Sequence, residues 1–349
     1  MSTPTLTRRR LLAGSAVLAG TVAAPSILRA QSGGTLNLYS SRHYDTDEAL
    51  YEGFERLAGV RISRVDAGPD ELLERLANEG SNTPADVLIT VDAGRLERAA
   101  QRELLQPVDS AVLNERIPAN LRDPDGHWYG VSTRARVIMY AKDRVDPSTI
   151  STYEELADSR WEGRVLTRSS SNIYSQSLTG SILAANGPEA TLEWCEGLVA
   201  NFARSPRGGD TDQIKAVAAG EGDLAISNTY YLGRLMRSEN EEDREIAAQI
   251  GVIFPNQDGR GTHVNISGAG ITRHSPNPDL ARAFLEYLAS DEAQFYFADG
   301  NNEYPVVPGV EWPETMQSLG TFEADELNAR VFARNNAEAL RIMDRAGWT

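Results

Sequence analysis

Short apolar runs alternate with amphipathic helical stretches along most of this 349-residue chain. That alternation limits the fold to α/β architectures with mainly parallel sheets, because parallel strands need helical crossovers to return the chain to the same sheet edge. Residues 35–39 predict a first strand, followed by a turn over 40–44. Asp45, Thr46, Asp47 and Glu48 then supply a cap and an acidic first turn for a helix with the apolar stripe Leu50, Phe54 and Leu57. Val60 and Ile62 alternate as a second strand, and Pro69 opens a helix with Leu72, Leu73 and Leu76 inward. The run Val87 to Val91 predicts a buried strand, with Asp92 capping a helix over 94–102. This first block reads as a small doubly wound domain.

A long strand over 130–141 leads into a second block of the same style. It is expected to hold a helix over 152–158, a strand over 164–167, helices near 172–185 and 188–201, and a strand over 223–227. Strands over 251–255 and 268–272 follow, then a helix over 278–290 with Leu280, Phe284, Leu285 and Leu288 buried. At about 150 residues per domain the length suits two domains. The expected division is a first lobe from 31–132 and 255–305, a second lobe from 133–254, and a helical segment, 306–349, packing on both. Crossing strands at about 130–135 and 252–262 would join the lobes.

Residues 1–30 read as an export signal. Arg8, Arg9 and Arg10 precede a run of small and apolar residues over 13–27, and Ala30 stands before a polar stretch. The paired arginines point to the twin-arginine route, and thus to the periplasm. Gly14, Gly20, Thr21 and Pro25 interrupt the run, which argues against a membrane anchor. The chain's formal charge is −16, and loss of the four arginines in that acid-free segment takes it to −20. A surface so acidic does not suit a nucleic-acid partner. Cys195 is the single cysteine, which excludes an intramolecular disulfide, a cysteine metal cluster and a redox pair, and it reads as a small buried hydrophobe on a helix. Metal chemistry here must use oxygen and nitrogen donors.

Three strand ends carry tyrosines, at the positions where open α/β sheets gather their ligands. Tyr44 lies in the turn Arg42-His43-Tyr44-Asp45. Tyr174 follows the serine-rich turn Ser169-Ser170-Ser171-Asn172, whose backbone could also cradle an anion or be only a turn and cap. Tyr230 and Tyr231 follow a strand, with Asn228 as the expected cap. Adjacent tyrosines face different sides of a helix interior, so both can meet one ligand only in the first turn. Phenolate is a hard, basic oxygen donor that suits ferric iron better than Mg²⁺ or Ca²⁺. Its proton must be replaced by a strong local cation, because a free phenol ionises only near pH 10. His43 could add a nitrogen ligand or be an exposed loop residue. Arg42, Arg134 and Arg136 could offset surplus phenolate charge or serve as structural ion pairs.

Enzymatic motifs do not emerge. The four histidines, His43, His127, His263 and His274, lack the H-E-x-x-H spacing, and there is neither a G-x-S-x-G elbow nor a Walker A sequence.

The stretches Leu38-Tyr39-Ser40-Ser41-Arg42-His43-Tyr44, Trp161-Glu162-Gly163-Arg164, 219–231 and 263–268 resemble the periplasmic ferric-iron-binding proteins of ABC importers. The resemblance covers essentially the whole chain after the signal and is nearest to the type that holds iron mostly by tyrosines, without an obligatory carbonate. It implies a two-lobed periplasmic-binding-protein fold of type II with hinge strands. It implies ferric iron as bound ligand through Tyr44, Tyr174, Tyr230 and Tyr231, with His43 as an additional ligand to be tested, Arg42 and Arg134 as supporting cations, and ferrous iron left open. It implies a permease and its ATPase as partners for a monomeric carrier that is not membrane-spanning once mature. The alternatives are a carrier for a small organic or inorganic anion, using Arg42, Arg134 and the serine turn, and an exported hydrolase.

Overall fold

The computed structural model describes residues 34–42 and 44–349; the export signal expected over 1–30, and His43, lie outside the described residues. The first elements are β1 (Thr35–Ser40), α1 (Glu48–Ala58), β2 (Arg61–Asp66), α2 (Pro69–Glu79), β3 (Val87–Val91) and α3 (Ala93–Gln101). β1 pairs in parallel with both β2 and β3, so each helix is a crossover. A short α4 (Ala111–Arg116) leads to β4 (Tyr129–Ala141), which is buried along almost its whole length. Next come β5 (Val165–Leu166), α5 (Ile173–Ala200), α6 (Asp210–Ala218), β6 (Leu224–Asn228), α7 (Thr229–Met236), α8 (Glu241–Gln249) and β7 (Ile250–Ile253). The chain closes with β8 (Val264–Ile271), α9 (Pro278–Leu288), α10 (Asp291–Asn301), α11 (Glu314–Gln317) and α12 (Ala329–Arg345).

The strands run in the order β2-β1-β3-β8-β4-β6-β5, with β7 also on β4. Parallel pairs lie toward the two ends, and antiparallel pairs surround β4 and β8. β4 changes partners part-way: up to Ala135 it pairs with β8, and from Arg136 it pairs with β6, joined from Ile138 by β7. One long strand thereby belongs to two ladders. The apolar side chains form two clusters accordingly, one around Leu38, Ile89 and Phe284 and one around Tyr153, Trp161 and Trp194. α12 serves both, through Phe332 in the first and Ile342 and Met343 in the second.

Some local expectations need correction. Leu57 is 52% exposed, because it sits in the last turn of α1, before Gly59 takes a left-handed φ of 68°; Leu50, Tyr51 and Phe54 form the buried face. The helix expected over 152–158 is only a 3₁₀ turn, Glu154–Ala157. Side chains claim the backbone donors there: Glu155 takes the Ser151 and Thr152 amides, and Asn256 takes that of Tyr153. The two helices expected over 172–201 are both present within α5: they meet at Gly187, whose backbone (φ 79°, ψ 170°) is not helical, ahead of Pro188. Leu280 is half-buried, whereas Phe284, Leu285 and Leu288 are buried as expected.

α12 lies close to α5 because Gly180 has no side chain. A Cβ there would stand 2.7 Å from the Phe332 carbonyl oxygen, a backbone atom that can move only with its helix. Gly180→Ala is therefore expected to destabilise the metal-free protein by roughly 1–3 kcal/mol, an overpacking cost read as a lower midpoint in urea.

Candidate metal centre

The strand ends β1, β5 and β6 deliver their side chains to one place. After β1, Ser41 is held to β3 by its amide on the Ile89 carbonyl (3.1 Å) and its hydroxyl on Thr90 Oγ1 (2.6 Å). The Arg42 amide turns back onto Ser40 Oγ (3.1 Å), which leaves Tyr44 at the head of the 3₁₀ turn Asp45–Asp47. After β5, Asn172 caps α5 by accepting the Tyr174 amide (3.0 Å). After β6, the cap differs from expectation. Asn228 Oδ1 accepts from Arg136 Nη1 (3.1 Å), so its side chain does not cap α7.

Tyr44, Tyr174, Tyr230 and Tyr231 meet in space. The Tyr174 and Tyr230 hydroxyl oxygens are 3.5 Å apart, and the Tyr44 ring meets the Tyr230 ring edge-on at 6.5 Å. Tyr230 and Tyr231 share the first turn of α7, where their ring centres come within 4.1 Å. Tyr174 and Tyr230 are buried, while Tyr44 and Tyr231 are half-buried.

Among the described residues, five guanidinium groups face these rings. Arg134 and Arg136, two apart on β4 and therefore on one face, lie 5.9 Å from the Tyr230 ring centre and 5.8 Å from that of Tyr174. Arg42 lies 4.7 Å from the Tyr44 ring, and Arg168 5.7 Å from that of Tyr174. Arg234 stands over three rings, at 4.5 Å from Tyr44, 5.1 Å from Tyr230 and 5.9 Å from Tyr231. Three of the five are paired. Glu303 bridges Arg42 (3.0 Å) and Arg134 (2.8 Å), Asp47 takes Arg42 as well (2.7 Å), and Asp210 takes Arg136 (3.0 Å). Among the described residues, no carboxylate lies within ion-pair distance of Arg168 or Arg234.

The electrostatics follow from burial. Desolvation raises the Tyr230 phenol well above its ordinary value, and neighbouring phenols add to that. Tyr231 is raised by burial and Tyr174, and Tyr44 by burial and Glu303 against the pull of Arg134 and Arg42. Glu303 is held down to about 2: burial opposes its charge, but Arg42 and Arg134 outweigh it. In the metal-free centre Tyr44, Tyr230 and Tyr231 are thus neutral phenols beside fixed cations, and a strongly charged ion must displace their protons to bind.

Sequence reasoning missed Glu303, Asp210, Arg168 and Arg234. Arg234 had a local signal, four residues after Tyr230 on one helix face. Glu303 had none, standing 169 residues from Arg134. The serine turn is tied to itself, with Ser169 and Ser171 hydroxyls 2.7 Å apart and Ser170 3.4 Å from Asp344. Cys195 is buried. Asp123, Asp125 and His127 form a second group of possible donors, but Arg330 occupies both carboxylates.

Residues 82–322 match the family model described as bacterial extracellular solute-binding protein. The chain is 51% identical over 350 residues to iron uptake protein A2 of Synechocystis sp., spanning 99% of each. It is similar to a Trichodesmium protein solved in complex with iron and citrate ligands, at 53% identity and a TM-score of 0.89, over 90% of this chain and 100% of that one. It is also similar to ferric iron-binding protein A of Mannheimia haemolytica in an open conformation, at 38% identity and a TM-score of 0.84, over 90% of this chain and 99% of that one. The fold is the two-lobed one of these ferric-binding proteins.

Proposed function

This chain belongs to the bacterial extracellular solute-binding proteins, and from that premise we propose that it captures ferric iron between two lobes and hands it to an ABC permease and its ATPase. The observation that carries the reading is the convergence of four phenols from three strand ends inside a ring of guanidinium groups. Tyr44, Tyr174, Tyr230 and Tyr231 are the proposed ligands, with Arg42 and Arg134 behind them; His43, next to Tyr44 in sequence and outside the described residues, is an additional ligand to be tested. Four phenolates around a trivalent ion leave one surplus negative charge. Arg168 and Arg234, the cations without carboxylate partners among the described residues, supply the compensation.

The first lobe would comprise 31–132 and 255–305 and the second 133–254, with 306–349 packed on both. The partner change of β4 at Ala135 and Arg136 supports that division. Tyr44 then comes from the first lobe and the other three tyrosines from the second, so a bound ion favours the closed form, which the permease would read as loaded. Export by the twin-arginine route and action as a periplasmic monomer complete the proposal. No helix among the described residues is long and apolar enough to cross a membrane, and a relative in Serratia marcescens is a periplasmic Fe(3+)-binding protein. A free-anion carrier fits less well, since three of the five guanidinium groups are already neutralised by carboxylates.

Titration of the metal-free protein with ferric iron under air is expected to give a visible phenolate-to-iron charge-transfer band that a strong chelator removes. A protein that stays colourless through a full equivalent of iron would refute the assignment.

A further inference from the structure

The first turns of α5 make two connections from one face. Tyr174 turns toward the other phenols, and Ser177, three residues on, places its Oγ 3.0 Å from each carboxylate oxygen of Asp92. Asp92 belongs to the other ladder. It follows β3, the neighbour of β1, and the Ser41 contacts to Ile89 and Thr90 bind that strand end to the turn carrying Tyr44.

Asp92 is fully buried, with donors on every side. It accepts the Gly94 amide (2.7 Å) as the cap of α3 and Asn265 Nδ2 (2.7 Å) from β8, besides Ser177. Its φ of 81° lies in a region that residues other than glycine rarely adopt. Backbone held there persists only where the surroundings over-determine it, and such positions gather at functional sites. α12 closes the arrangement from the third side, with Asn336 Oδ1 3.5 Å from Ser177 Oγ. Capping α3 would need only one of these bonds. The bond to Ser177 is the one that reaches the helix bearing Tyr174.

We propose that Asp92 is a positioning residue for the metal centre, acting through Ser177 to hold the Tyr174 helix against the strand ends that carry Tyr44. The inference rests on the ferric-iron reading above. It adds that, once the lobes are closed, the spacing between Tyr44 and Tyr174 is set by a hydrogen bond one helical turn below the phenols.

Ser177→Ala tests it, with affinity measured by competition against citrate for ferric iron and the charge-transfer band recorded alongside. The variant is expected to keep its far-ultraviolet circular dichroism, bind iron roughly tenfold or more weakly, in the range seen for outer-shell partners, and show an altered band. Asp92→Asn, which turns one acceptor oxygen into a donor, should lose affinity likewise and covers the case in which Ser177→Ala does not fold. Ser181→Ala, one turn further along α5 and equally buried, is the control and should bind as wild type. Wild-type affinity with an unchanged band in a folded Ser177→Ala or Asp92→Asn protein, or an equal loss in Ser181→Ala, would overturn the proposal. Failure of the wild type to bind iron would instead sink the ferric reading, so the two failures are distinct.

Discussion

Tyr231→Phe is expected to lower the affinity for ferric iron by roughly a hundredfold or more, since even partners behind metal ligands are worth about 10- to 100-fold. The change removes one oxygen and little else. The Tyr231 ring, half-buried and 4.1 Å from the Tyr230 ring, keeps its packing, and Arg234 keeps an aromatic face beneath it. Thermal unfolding of the metal-free variant should therefore match wild type, while its charge-transfer band with iron weakens and shifts. Unchanged affinity in competition with a chelator would remove Tyr231 from the ligand set.

Glu303→Ala is expected to destabilise the metal-free protein by about 3–5 kcal/mol, because it leaves two buried guanidinium groups short of a counter-charge. Glu303 accepts from Ser132 (2.7 Å) as well as from Arg42 and Arg134, and it is fully buried. Arg42 keeps Asp47, but Arg134 loses its only carboxylate among the described residues. The same carboxylate gives wild type an acid-sensitive term. Its folded pKa, about 2, lies below the ordinary 4.5, so its stabilising contribution is complete above pH 4.5 and disappears as the pH falls toward 2. Urea unfolding between pH 5 and 2 should show a steeper loss in wild type than in Glu303→Ala. Parallel curves, or a variant as stable as wild type at pH 7, would contradict this role.

Much of the fold was legible because its elements announce themselves locally. The run 87–91, apolar except for the hydroxyl of Thr90 and mostly β-branched, reads as a buried strand, and the leucines of α2 recur at helical spacing. Where reading failed, a distant partner had intervened. Asn256, about a hundred residues away, takes the Tyr153 amide and helps hold residues 152–158 out of an α-helix. Arg136 draws off the Asn228 side chain that would have capped α7.

The candidate metal centre divides along the same line. Tyrosines at strand ends could be picked out by position and chemistry, since donor hardness is a property of the residue and strand ends are where such folds bind. Glu303 could not, because a carboxylate after a helix gives no sign of which arginines it will meet. The sequence by itself determined the α/β layering, and it pointed to phenol oxygens as candidate donors and to the segments that would carry them. Only the tertiary structure decided that the four tyrosine rings gather at one place, which of the cations among the described residues remain without a carboxylate, and that Asp92 reaches across to Ser177. Residue chemistry and periodicity act over a few positions, whereas charge pairing and spacing depend on side chains that only folding brings within a few ångströms.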